Sequence, residues 1–123
     1  MKTILIVEDN EKNMKLARDI LQVKGYRTIE AASGFAGLQA AQDESPDLIL
    51  MDIQLPDISG IEVYARLRAD PTTAGIPAIA FTASVTQADR NRIMNGGFAG
   101  FLAKPINLKE FLQTIETALG KES

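Results

Sequence analysis

The sequence predicts an α/β chain in which helices cover both faces of a parallel sheet. Three observations carry this reading. Short apolar runs alternate with amphipathic stretches from one end of the chain to the other. Several runs are nearly continuous in aliphatic or small residues, as central strands buried on both sides must be. No linker or low-complexity tract interrupts the alternation.

Each element can be justified in order. Ile4 to Val7 reads as the first strand, and Ala17, Ile20, Leu21 and Lys24 then fall at helical spacing, with Gly25 as a C-terminal stop. Thr28 to Ala32 reads as the second strand. Ser33 can cap a helix through Gln42, and Pro46 lies beyond its end. Leu48 to Met51 is the third strand and Ser59 to Arg68 the third helix. Ala78 to Phe81 is the fourth strand, and Gln87 to Met94 forms a helix closed by Gly96-Gly97. Phe101 to Ala103 is the last strand. Leu108, Phe111, Leu112, Ile115 and Leu119 keep the i, i+3, i+4, i+7 pattern of a closing helix. Gly-Phe-Ala-Gly occurs at both 34–37 and 97–100, but one copy opens a helix and the other precedes a strand, so it is no structural repeat.

Composition excludes several classes of function. The chain has 123 residues, the size of one domain, with 46% apolar residues to fill a core and 24% charged residues. A formal charge of −3 gives no electrostatic footprint for nucleic acid or an anionic membrane. With no Cys and no His, thiol nucleophiles, imidazole bases and the usual zinc ligands are absent. Chemistry is left to carboxylates, hydroxyls, Lys, Arg and the backbone. The apolar run after Met1-Lys2-Thr3 is too short for a signal peptide or membrane span, so a cytoplasmic protein is expected.

In an open parallel sheet, ligands bind beyond the carboxyl ends of the strands, where the strand order reverses. Glu8, Asp9 and Asn10 follow the first strand, and Asp52 with Ile53-Gln54 follows the third. The fourth strand ends at Thr82-Ala83, and Lys104-Pro105 follow the fifth. All are therefore expected on one rim. Converging carboxylates raise one another's pKa, a problem that a hard cation solves. Oxygen ligands suit Mg²⁺ or Mn²⁺, and Asp9, Asp52 and a backbone carbonyl just after Asp52 could supply them. A divalent ion with Lys104 and Thr82 is the set that a transferring phosphoryl group requires, and Asp52 would be the nucleophile that becomes an acyl phosphate.

At this point five blocks carry a resemblance: Ile4 to Asn10, Asp47 to Pro56, Gly60, Phe81-Thr82-Ala83, and Phe101 to Pro105. In order and spacing they resemble the response-regulator receiver domain of two-component signalling, over essentially the whole chain. The resemblance implies a flavodoxin-like (βα)5 doubly wound parallel sheet of strand order 2-1-3-4-5. It implies that Asp52 accepts a phosphoryl group from a sensor histidine kinase or a histidine phosphotransfer protein. Glu8 and Asp9 would hold Mg²⁺ (or Mn²⁺), one of them through water, and the main-chain carbonyl of Gln54 would complete the metal site. Thr82 and Phe101 are the implied switch pair, Lys104 the partner of the phosphoryl group, and the bond before Pro105 is expected to be cis.

The stretches Glu8 to Leu16 and Asp52 to Gly60 narrow the resemblance to stand-alone receivers. Residues 1–123 are accordingly expected to be one receiver domain with no output domain. Such a unit is a signalling module rather than an enzyme: it takes up phosphoryl by self-catalysis, hydrolyses it slowly, and signals by phosphorylation-dependent protein binding. It would be a monomer or a weak phosphorylation-dependent homodimer, without direct contact to nucleic acid or insertion into membrane. The residues two beyond the acceptor and two beyond the switch threonine, Gln54 and Ser84, are the implied tuners of phosphoryl lifetime. Ser59 before Gly60 and Phe98-Ala99-Gly100 depart from the commoner receiver pattern and alter the surface offered to partners.

Plainer readings stand beside these. Glu8-Asp9 reads equally as a polar strand-to-helix turn, Asp52 as a loop residue, Thr82 as a β-branched strand residue and Lys104-Pro105 as a turn. Phe101 reads as a half-buried core ring, and Met14, Met94 and Phe98, which could instead be partner contacts, as irregular core filling. At the level of function, the alternatives are a phosphorelay intermediate or phosphate sink and, more remotely, a flavodoxin-like cofactor protein. Against the latter, strand one leads into Glu-Asp instead of a phosphate-cradling loop. An aspartate-nucleophile phosphatase would need a general acid where Gln54 stands.

Overall fold

The computed structural model describes residues 1–83 and 86–120. Five strands, β1 (Thr3–Val7), β2 (Arg27–Ala31), β3 (Leu48–Asp52), β4 (Ala78–Thr82) and β5 (Gly100–Ala103), alternate with α1 (Glu11–Val23), α2 (Gly34–Glu44), α3 (Gly60–Ala69), α4 (Gln87–Asn95) and α5 (Leu108–Ala118). The sheet is parallel throughout, in the order β2-β1-β3-β4-β5. This is the doubly wound, flavodoxin-like architecture expected from the sequence.

Alternation along the strands sends side chains into two cores. Ile4, Ile6, Leu48, Leu50, Ile79, Phe81 and Leu102 pack against α1 and α5, which contribute Ala17, Leu21, Phe111 and Ile115. On the other face Leu5, Val7, Ile49 and Met51 meet α2 and α3 through Ala41, Val63 and Leu67. A smaller cluster of Ile53, Ala80 and Ile93 lies under α4, with Phe98 and Phe101 packed against it. β3 and β4 are buried along their whole length, which is why they read as unbroken apolar runs.

The structure moves some sequence boundaries. Asp52 is the last residue of β3, not a position beyond it, because the ladder pairs it with Phe81; Thr82, paired with Ala103, closes β4. α1 begins at Glu11, well before the apolar stripe around Ala17, because the Asn10 side chain caps it by accepting from the Asn13 amide. Gly25 ends that region in the left-handed conformation (φ 90°) that a side chain disfavours. Ser33 caps α2 as expected. Met14 fills the core, but Met94 does not: it lies on the outer side of α4 and is 74% exposed, since that helix buries Ile93 and turns its remaining residues outward. Phe98 does pack against the core, with its ring centroid 4.5 Å from that of Tyr64. No helix among the described residues is long and apolar enough to cross a membrane.

Candidate functional site

β1 and β3 are adjacent and in register, Val7 opposite Met51, so the residues that follow them emerge side by side. Carboxylate oxygens of Glu8, Asp9 and Asp52 come within 4.8 Å of one another. Glu8 and Asp52 are buried, at 2% and 3% exposure, while Asp9 faces solvent. The Glu8 carboxylate is fixed from two sides: Oε2 accepts from the Asn10 amide at 3.0 Å, and Oε1 pairs with Lys104 Nζ at 2.6 Å. The same ammonium lies 3.3 Å from Asp52 Oδ2 and 5.0 Å over the Phe81 ring.

Lys104 reaches these acids because the chain leaves β5 one position beyond the ladder, where its amide donates to the Thr82 carbonyl at 2.9 Å, and the Lys104-Pro105 bond is cis. Thr82 is buried at the end of β4 beside this pair. Phe101 lies on the α4 side, half-buried, with the Arg90 guanidinium 5.5 Å from its ring centroid. Gln54 has an exposed side chain, and its amide donates to Asp52 Oδ1 at 3.1 Å. Ser84 lies outside the described residues. The residues singled out in the sequence thus meet on one sheet edge, with Phe101 at its α4 flank.

Burial pushes the Asp52 carboxyl up to about 7, and the adjacent Glu8 charge adds to the rise; Lys104 opposes it. Three ionised carboxylates against one ammonium leave an excess of two negative charges, the charge that one divalent cation neutralises. The donors are all hard oxygens, so the residues present fit Mg²⁺ or Mn²⁺ and would suit soft metals poorly. They do not suit a flavin phosphate, which the acids would repel.

Two features were not legible in the sequence. A Cβ at Gly60 would overlap the Asp52 carbonyl oxygen, and the Gly60 amide donates to the Ile53 carbonyl at 2.9 Å, so α3 starts directly against the strand end that carries Asp52. Asp57 passes for an ordinary polar loop residue, yet its carboxylate accepts from the Gly34 and Phe35 amides at 2.7 and 2.8 Å, at the start of α2. No local pattern signals a partner so distant in sequence.

The response regulator receiver domain family model matches residues 4–116. The polar-differentiation response regulator DivK of Brucella ovis is 48% identical over 119 residues, 97% of either chain, and that of Brucella anthropi is 47% identical over the same span. A CheY-like receiver domain protein from Methanospirillum hungatei superposes with a TM-score of 0.91 at 29% identity, covering 98% of this chain and 94% of that one. The receiver domain of a sensor histidine kinase from Pseudomonas aeruginosa, described with a magnesium ion coordinated in its active site cleft, superposes with a TM-score of 0.89 at 32% identity and covers 98% of both chains. With the order of its strands, the acids at their carboxyl ends and these likenesses all in agreement, this chain belongs to the response regulator receiver domain family.

Proposed function

We propose that Asp52 is the phosphoryl acceptor of a Mg²⁺-dependent signalling module supplied by a sensor histidine kinase or a histidine phosphotransfer protein. The observation that carries this is the meeting of Glu8, Asp9, Asp52 and Lys104 at one sheet edge. Glu8, Asp9, Asp52 and the Gln54 carbonyl would hold the ion, which supplies charge neutralisation on the phosphoryl oxygens.

The chain's own groups do the rest. An Asp52 carboxylate oxygen attacks phosphorus as the phosphorus–nitrogen bond to the donor imidazole breaks, and the imidazole leaves with the bonding pair. Gln54 N–H holds the other Asp52 oxygen and so presets the carboxylate for attack. Lys104 exchanges part of its pairing with Glu8 and Asp52 for the new phosphoryl oxygens, and the Thr82 hydroxyl turns toward them. The Phe101 ring follows into the space that Thr82 leaves. The output is a change in affinity for another protein at the α4 flank, and the later loss of phosphoryl to water is self-catalysed. Residues 1–123 act as one receiver unit in this reading.

The test is incubation with Mg²⁺ and acetyl phosphate, followed by intact-mass analysis and treatment with hydroxylamine. One phosphoryl adduct that hydroxylamine removes, and that Asp52→Asn abolishes, is expected. No adduct on the unaltered chain, or an undiminished one on Asp52→Asn, overturns the proposal.

A further inference from the structure

The loop from Ile53 to Ser59 joins the acceptor strand to α3, and its apolar anchors, Leu55 and Ile58, are only partly buried. A second attachment comes from Asp57. Its Oδ1 accepts from the Gly34 amide at 2.7 Å and from the Ile58 amide at 2.9 Å, and its Oδ2 accepts from the Phe35 amide at 2.8 Å. Gly34 and Phe35 are the first two residues of α2. The next amide, Ala36, is taken by the Ser33 hydroxyl at 3.1 Å, and the Gly37 amide by the Ser33 carbonyl at 2.9 Å. Ser33 and Asp57 therefore divide the free N–H groups of this helix start between them, one from the helix's own chain and one from across the structure.

The bonds are short and charge-assisted, and the carboxylate sits at the positive end of the helix dipole. The Phe35 amide above all, with the Gly34 and Ile58 amides, holds the Asp57 carboxyl below its ordinary value. Gly34 also leaves no side chain in the way: a Cβ there would stand 3.1 Å from Asp57 Oδ1 and 3.2 Å from the Ile58 carbonyl. The geometry ties the loop to α2 at one end, while the Gln54 amide ties it to Asp52 Oδ1 at the other.

We infer that Asp57 is a positioning residue, whose two-pronged bond to the start of α2 fixes the loop backbone at Gln54 and thereby the orientation of the Asp52 carboxylate and the placing of the Gln54 carbonyl. The inference rests on the function proposed above. Ser33 supplies the control, because its hydroxyl and carbonyl bond to the same helix end from the helix's own chain.

The experiment compares the unaltered chain with Asp57→Ala, Asp57→Asn and Ser33→Ala. Amide exchange is followed in EDTA, and Mg²⁺ affinity is measured by titration calorimetry. In Asp57→Ala the Gln54 and Gly60 amides should exchange faster even without metal, and Mg²⁺ should bind about tenfold more weakly, the low end of the range for groups that orient metal ligands. Asp57→Asn keeps one acceptor oxygen and should fall between. Ser33→Ala should lower the melting temperature and speed exchange in α2 while leaving Mg²⁺ affinity unchanged. If Asp57→Ala does not fold, Asp57→Asn carries the comparison.

Unaltered loop exchange and Mg²⁺ affinity in the Asp57 variants overturn the inference, as does an equal loss of affinity in Ser33→Ala. Absence of Mg²⁺ binding to the unaltered chain overturns the proposed function along with it.

Discussion

Leu50 and Asp52 lie on one strand, point to the same face of the sheet and are both buried. Leu50 joins an apolar cluster whose side chains gain by leaving water. Asp52 shares its surroundings with a second buried carboxylate and a single ammonium. The interior of the sheet therefore holds the fold together, while its carboxyl edge works against it, and that edge is where the proposed chemistry sits. In the function proposed above, the excess negative charge of that edge is what would hold the divalent cation.

The comparison predicts opposite responses from its two halves. The largest belongs to the interior: Phe111→Ala removes a fully buried ring packed edge-on against Phe81 and should lower stability by about 3–5 kcal/mol, whether or not Mg²⁺ is present. Urea denaturation in EDTA and in Mg²⁺ measures it, and a loss that depended strongly on metal would break the division.

Next comes Lys104→Met. It strips the shared counter-charge from Glu8 and Asp52 and should lower the stability of the metal-free protein at pH 8 by about 3 kcal/mol, the scale for breaking a buried pair. Mg²⁺ should restore much of that, because it supplies the missing positive charge. A loss of equal size with and without Mg²⁺ would show that Lys104 acts through packing alone.

The third effect has the opposite sign. Asp52→Asn should stabilise the metal-free protein by about 1–4 kcal/mol above pH 7, because it removes a buried charge with only a shared partner. The pH dependence follows from the raised value of about 7 against an ordinary 3.8. Below pH 4 the acid is protonated in both states and makes no difference. Between about 4 and 7 the unfolded chain releases the proton that the folded chain retains, so the native protein loses stability as pH rises; above 7 the penalty is constant. Melting curves of the two proteins in EDTA should therefore converge toward pH 4. A gap that is constant with pH would place the effect outside the titration of this carboxyl.

The strands were legible because burial on both faces leaves no room for polar alternation, as Ile4 to Val7 and Leu48 to Met51 show. The acids and Lys104 were legible for a related reason: a charged residue directly after such a run must lie at the rim. Core filling fails for Met94, because a short, mostly polar helix presses one residue inward and leaves the sequence no stripe to indicate which. Asp57 carries no local signal because its partners lie at the start of α2.

By itself the sequence determined the layered α/β class and the polar residues that stand at strand ends, since both follow from local patterns of apolar and charged side chains. Only the tertiary structure decided that Lys104 is shared between Glu8 and Asp52, that Gly60 packs against the end of β3 and that Asp57 grips α2. Those are contacts between segments far apart in the chain, and their strength depends on distance and burial, which no spacing within a sequence encodes.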